Sequence, residues 1–347
     1  MANLHGQHER RRTRAEWLAM VRASPYLPAT VLVLLVAAAA GLFAGSYTYA
    51  LANPTPRQIP IAVVAQDPPV REFLAEMQRS LHDSLAVRGY DSAVAARSDV
   101  DEQKVFAIVG AGSPGVRLDI SSASGQSVAQ LLSGTAAQAG PVVGVPVEVT
   151  DVVPLQRGDP RGLAIFYISL AAVIIGFIGA TQFSVQASAL NPAERIGFTV
   201  AYSVFGGFTI AAVADWVLGA VRLPFAESWL ILSLTMFTSG MVFTMFNTLV
   251  GRWAILPTWG LMVLLGNPSS GGAVSWPLLP SLLGHIGRWL PPGASVNAQH
   301  TAVYFRAHQH LFPFLVLGGW ALVACAVFWI WRHRHPGGRP TRSAHAA

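Results

Sequence analysis

The chain of 347 residues is 52% hydrophobic and only 12% charged, where soluble domains carry about 25% charge, which excludes an ordinary soluble domain over most of its length. Its single cysteine, Cys325, lies inside the last apolar run, so neither a disulfide framework nor a cysteine-based zinc site is available. The formal charge of +6 comes from arginines flanking apolar runs and is no nucleic-acid signal.

Residues 1–28 read as a basic cytoplasmic N-terminus carrying Arg10, Arg11, Arg12, Arg14 and Arg22. The first apolar run, 29–51, follows. A cleaved signal peptide is the competing reading, because Ala50-Leu51-Ala52 resembles a cleavage site. A signal h-region is about 7–15 residues and this run is nearly twice as long, so a retained anchor is expected. Five further runs have the length or composition of spans: Gly162 to Val185, Phe198 to Val221, Trp229 to Val250, a shorter one from Trp253 to Gly266, and Leu311 to Trp331. The fold class expected is a mostly α-helical integral membrane protein with six transmembrane helices and a small α/β extracytoplasmic domain between helices one and two.

That domain, 52–161, has a different composition. Ile59 to Val64, Val105 to Val109 and Val116 to Ile120 read as strands, Val70 to Val87 has apolar residues at helical spacing, and Gln126 to Ala139 is a weaker helix. The order strand, helix, strand, strand, helix indicates a small α/β or α+β unit. Asp101-Glu102 reads as a solvated turn. Beyond it, 162–331 forms a five-helix transmembrane domain and 332–347 a basic cytoplasmic tail.

Basic residues near span ends collect in the cytoplasm. Under the six-span reading Arg10, Arg11, Arg12, Arg14, Arg22, Arg195, Arg252, Arg332, Arg334, Arg339 and Arg342 fall inside, against Arg222, Arg288 and Arg306 in the short outer loops. Both termini are therefore expected in the cytoplasm, in a multi-pass plasma (inner) membrane protein, with anionic lipid at the basic face. Asn191-Pro192-Ala193-Glu194 places Asn at N-cap, Pro at the first helical position and Glu at N3. Asp159-Pro160 and Ser24-Pro25 repeat the cap-then-proline device.

The phosphate-cradling Gly-x-x-x-x-Gly-Lys-Ser/Thr loop of nucleotide-binding sites is absent. Gly266-Asn267-Pro268-Ser269-Ser270-Gly271-Gly272 has the glycines without the lysine and reads as a turn-rich outer loop. A serine hydrolase would pair Ser270 with His285 or His300, but no third orienting group is apparent. His308 with His310, and His333 with His335, are spaced by two, which on a helix points the rings apart. Asp215 is the only carboxylate inside an expected span, a functional candidate by default; its alternative is headgroup water or a pairing with Arg222. Segment 267–310 mixes Gly and Pro with Trp276, Leu278, Leu282 and Trp289, too apolar for a free loop and too broken to span, which suits an outer re-entrant or interfacial hairpin.

One helix, an outer domain and then five helices resembles the type-2 ABC-transporter permeases, in the branch of phage-infection-protein-like and nitrosoguanidine-resistance-like membrane proteins. The resemblance is carried by Gly266 to Gly272, then Leu278-Leu279-Pro280, Leu290-Pro291-Pro292-Gly293-Ala294 and Ala302-Val303-Tyr304-Phe305, with Val152-Val153-Pro154-Leu155 and Asp159-Pro160 before the second helix. It implies an interfacial helix over Arg14 to Ala23, and a cytoplasmic loop, Leu190 to Gly197, that touches an ATPase through Asn191, Glu194 and Arg195. It also implies a homodimeric permease exporting a lipid-like or amphiphilic compound, and, since the chain has no ATPase domain, either a separate ATPase subunit or no ATP coupling at all; no intrinsic ATPase, no cofactor and no metal are expected. The alternative is a non-transporting scaffold whose outer domain binds envelope components or a partner protein.

Overall fold

The computed structural model describes residues 26–64, 67–187 and 189–335. The expected interfacial helix, the N-terminal arginines, Ser24-Pro25, Arg339 and Arg342 lie outside the described residues. The chain divides into two units, Met1–Ser46 and Tyr47–Ala347. Helix α1, Tyr26–Leu51, has 26 residues and no charged side chain; its last turn belongs to the second unit.

The second unit opens with a five-stranded sheet in the order β2-β1-β3-β4-β5. Its elements run β1 (Ile59–Val63), α2 (Pro68–Ser80), β2 (Leu85–Gly89), α3 (Ala93–Asp101), β3 (Ala107–Ala111), β4 (Val116–Ile120), α4 (Gln126–Val143) and β5 (Val147–Asp151). β1 pairs parallel with both β2 and β3, β3 antiparallel with β4, and β4 parallel with β5. The parallel connections are made by α2, α3 and α4, as such crossovers require. Ile59, Ile61, Phe73, Met77, Leu118 and Leu132 are fully buried and form one core beneath α2 and α4. The opposite face closes under α3, where Ala62, Ala96, Val100, Val105 and Ile108 pack together.

Three elements of this domain were not expected: β2, α3 and β5. The helical spacing read from Val70 to Val87 stops at Ser80, because the chain turns through His82 and Asp83 at φ 52° and 57° and re-enters as β2. These left-handed conformations end a helix.

Helices α5 (Ala164–Gln186), α6 (Pro192–Ala212, continued by a wider π-turn over Val213–Val217), α7 (Phe225–Val250) and α11 (Leu311–Arg334) follow, with α8 (Ile255–Trp259, continued by a π-turn over Gly260–Gly266), α9 (Ser281–Ile286) and α10 (Pro291–Tyr304) between the last two. Among the described residues five helices, α1, α5, α6, α7 and α11, are long and apolar enough to cross a membrane. The expected short span takes a different form: Ile255–Gly266 is a helix of twelve residues, about 18 Å long against the roughly 30 Å hydrocarbon thickness of a bilayer.

Helix α7 packs against α5, α6, α10 and α11. Its small hydroxyl side chains join the helices. Ser239 donates to Val173 O of α5 at 2.7 Å, Thr238 divides its proton between Leu234 O of its own helix and Leu317 O of α11, and Thr235 Oγ1 lies 2.8 Å from Ser295 Oγ of α10. Backbone carbonyls inside such a bundle have no water to bond, so hydroxyls at close helix contacts supply partners without the volume of larger polar groups. The outward sides of the spans are apolar, with Phe205, Leu230, Leu315 and Leu322 more than 60% exposed.

The capping box read from Asn191 to Glu194 is formed in full. Asn191 Oδ1 accepts from Glu194 N at 2.9 Å, and Glu194 Oε2 accepts from Asn191 N at 3.0 Å. The Asp159-Pro160 device works differently. Helix α5 begins at Ala164 rather than at Pro160, and the Asp159 carboxylate reaches forward to accept from Leu163 N at 3.0 Å and Ala164 N at 2.9 Å.

Candidate functional site

The α/β domain is bonded to the helices at several points. Ser127 and Ser275 share a hydroxyl contact of 2.9 Å, Gln103 Nε2 donates to Thr301 Oγ1 at 3.0 Å, Arg57 Nη1 donates to Leu279 O at 3.2 Å, and Gln156 accepts from Arg222 N at 2.7 Å. Residues 267–310 are thus the surface on which the domain sits. Helix α10 within this segment is a core element, with eleven buried residues, and Leu278 is buried as well, whereas Leu282 and Trp289 are exposed.

Two confluent cavities lie along this junction. The smaller, about 160 Å³, is polar and lined by Gln103, Ser122, Ser127, Ser270, Asn297 and His300 among others. The larger, about 670 Å³, shares Gln103, Phe106, Trp276, Asn297 and His310 with it and is also lined by Phe312 and Pro313, in the first turn of α11. Its volume falls in the range of about 300–1,000 Å³ typical of small-molecule pockets.

The Gly266 to Gly272 motif contributes Ser270, Gly271 and Gly272 to the wall of the smaller cavity. Asn267, Ser269 and Ser270 are 2%, 0% and 1% exposed. Gly271 has φ +80°, and a β-carbon there would strike the Trp276 indole; one on Gly287 would overlap the Ser269 carbonyl. Both glycines therefore serve close packing, and Pro268 ends the π-turn of α8. Trp276 Nε1 donates to Ser269 O at 3.2 Å, fixing the turn against the next segment.

Ser270 and His300 both line the smaller cavity, yet the Ser270 hydroxyl donates to Asn267 O at 2.7 Å and accepts from Gly272 N at 3.3 Å. Those are the bonds of a turn residue, not of an activated nucleophile. The His300 imidazole lies beside the Tyr304 ring, and desolvation pushes its pKa down to about 4. Among the described residues no group of three or more His, Cys, Asp and Glu side chains is placed to hold a metal ion.

Asp215 sits in the π-turn that ends α6, and its Oδ2 accepts from Leu223 N at 3.3 Å, closing the turn into α7. The ion pair weighed with Arg222 is not formed; the Arg222 backbone is held by Gln156 on both its amide and its carbonyl. Asn191 and Glu194 are exposed at the turn between α5 and α6, engaged in the capping box. Arg195 is half-buried and folds back to donate to the Ser184 hydroxyl of α5, to which Asn247 of α7 also donates at 3.4 Å. Its charge thus ties three helix ends together instead of standing free. The candidate residues consequently lie in three places: the motif Gly266 to Gly272 at the domain junction, Asp215 at the end of α6, and Asn191, Glu194 and Arg195 at the turn between α5 and α6.

Sequence reasoning missed Arg57, Arg88, Gln103 and Asn297. They come from four separate stretches of chain, and only the fold brings them to one cavity. Comparisons with protein-family models, with curated proteins and with solved structures gave no match.

Proposed function

We propose that the chain is a membrane-embedded transport permease that moves a lipid-like or amphiphilic compound, acting as a homodimer with a separate ATPase subunit. The observation that carries this reading is the larger junction cavity: Arg57, Gln58, Arg88 and Gln103 line it from the α/β domain, and Phe312 and Pro313 line it from the first turn of a helix long enough to span a bilayer. A compound with a polar head and an apolar tail meets both environments there. Fourteen residues of α7 are buried against its neighbours, which favours a path between two copies over one through a single bundle.

Six crossings with both termini on one side remain the preferred topology. The hydrogen bonds at Arg57, Gln156, Arg222, Ser275 and Thr301 gather the chain just after α1, just before α5, just after α6 and around α10 at the end occupied by the α/β domain. Ser184, Arg195 and Asn247 meet at the opposite end. Helix α8 starts soon after Asn247 and is followed by Gly266 and the junction, which supports a shortened sixth crossing by α8 and its following turn. The exposed turn at Asn191 and Glu194 lies at that opposite end and offers the docking surface for the ATPase.

Purification in mild detergent with mass-spectrometric identification of co-purifying proteins tests this reading. The expected result is a stoichiometric nucleotide-binding subunit, with no ATP hydrolysis by the chain alone. Hydrolysis that persists through further purification of the single chain would remove the partner-subunit reading. An outer-domain partner in place of an ATPase would favour the scaffold alternative.

A further inference from the structure

The larger cavity is cationic as well as amphiphilic. Arg57 precedes β1, Arg88 lies on edge strand β2, His285 is in α9, Arg288 is in the turn after it and His310 stands just before α11, and all five line the cavity, whose lining contains no Asp or Glu. The ion pairs among the described residues join Arg79, Arg97, Lys104 and Arg117 to acids of the α/β domain, and none engages Arg57, Arg88 or Arg288. Arg88 bonds the Tyr90 side chain and feels the charge of Asp99, a carboxylate that also accepts the Tyr90 hydroxyl at 2.5 Å and the Lys104 ammonium at 3.4 Å. Arg57 spends one guanidinium nitrogen on Leu279 O, and Arg288 lies 5.6 Å over the Trp276 ring. Such contacts orient a guanidinium while leaving N–H groups for an anion.

Three exposed arginines drawn from two separate parts of the chain line one cavity that has no acid in its lining, a concentration of positive charge that attracts an anion. Arginine forks match the geometry of phosphate oxygens. The apolar side of the cavity supplies the second half of the recognition. Phe312 and Pro313 are in the first turn of α11, and Phe312 packs edge-on against Trp289 at 4.9 Å, whose carbonyl accepts from Trp320 Nε1 at 3.0 Å. Tryptophans at the end of a span mark the level of the lipid headgroups.

We propose that this cavity binds the phosphate headgroup of an anionic phospholipid or similar phospho-amphiphile, with the phosphate among Arg57, Arg88 and Arg288 and the chains running past Phe312 along α11. The inference rests on the permease reading only for what happens after binding; the headgroup site itself is tested without any transport.

The experiment titrates the purified full chain, in a neutral detergent, with dihexanoyl phosphatidic acid, dihexanoyl phosphatidylcholine and inorganic phosphate by isothermal titration calorimetry. Saturable binding of the phosphatidic acid is expected, weakened about tenfold or more in the Arg57→Gln/Arg288→Gln double variant and unchanged in Arg306→Gln, an exposed arginine outside the cavity. Phosphatidylcholine should bind more weakly because its choline offsets the phosphate charge. Inorganic phosphate that binds as tightly as the phosphatidic acid would show a free-phosphate site and overturn the amphiphile. Equal binding of phosphatidylcholine, or no saturable binding, would overturn the anion site. Should the double variant aggregate, raised salt on the unmodified chain gives the same decision: phosphatidic acid binding must weaken, and binding indifferent to salt overturns the proposal. Lack of an ATPase partner alongside intact phosphatidic acid binding would remove the permease reading and leave the headgroup site standing.

Discussion

Gln103 at the end of α3 donates to Thr301 of α10 at 3.0 Å, across 198 residues of sequence, from a backbone held at φ +58°. A left-handed conformation at a non-glycine residue costs on the order of 1–3 kcal/mol, so the contact is made by a residue in an unfavourable backbone state. Gln103→Gly should therefore be less destabilising than Gln103→Ala, by about 1 kcal/mol, since both lose the side chain but only alanine keeps the strain. Thermal denaturation of the two detergent-purified variants measures the difference; equal melting temperatures would mean that the backbone state carries no cost.

The reciprocal bonds of Asn191 and Glu194 satisfy two orphan amides at the start of α6. Asn191→Ala should lower stability by about 0.5–2 kcal/mol, and Asn191→Asp should lose little because it keeps the acceptor. Melting temperature and membrane abundance check both. An Asn191→Ala variant with wild-type stability would show that water replaces the cap without loss.

His300 predicts a pH dependence with a definite sign. Its pKa falls from 6.5 to about 4 in the folded chain because burial disfavours the imidazolium. Between those values the unfolded state holds a proton that the folded state lacks, so stability is present above pH 6.5 and declines as the pH falls toward 4. His300→Phe should flatten that part of the stability profile, read as melting temperature against pH. A profile with the same slope in the variant would assign the acid sensitivity to other groups.

For the arrangement in the membrane, the informative labels are exposed positions at the two ends of the bundle. In a Cys325→Ser background, Ser80→Cys and Ala226→Cys should react with an impermeant maleimide from one side, and Ala189→Cys, Arg252→Cys and His335→Cys only from the other. Labelling of His335→Cys together with Ser80→Cys would mean that α8 and its turn do not return the chain across the bilayer.

The long apolar helices were legible because about 20 uncharged residues leave few alternatives to a span, and the α6 cap because Asn, Pro and Glu occupy three adjoining cap positions. β2 and β5 were not, for the opposite reason. Leu85–Gly89 has one buried residue and Val147–Asp151 has none, since both are edge strands whose outer sides face solvent, and neither periodicity nor an apolar run marks them. Helix α3 was hidden by its charges: Arg97, Asp99 and Asp101 break the apolar pattern, while Ala96 and Val100 alone face the core. The glycine motif was visible as a loop, but its burial depends on contacts with Phe166, Trp276, Gly287 and Pro292. The cationic cavity could not be read at all, because Arg57, Arg88 and Arg288 come together only after the sheet has formed and docked.

The sheet is complete at Asp151, thirteen residues before α5 begins at Ala164, and none of its strand pairings requires chain beyond that point. During synthesis the α/β domain can therefore close its own hydrogen-bonded frame while the later helices are still unmade. The bonds that seat it, at Ser275, Leu279 and Thr301, arrive from the last quarter of the chain. Domains generally fold as units in the order they emerge, so this one is finished early and secured late. A truncation after Gly251 would leave the domain only its Gln156–Arg222 bonds to the helices, its Arg57 and Arg88 facing water and the opposing wall of the cavity never built.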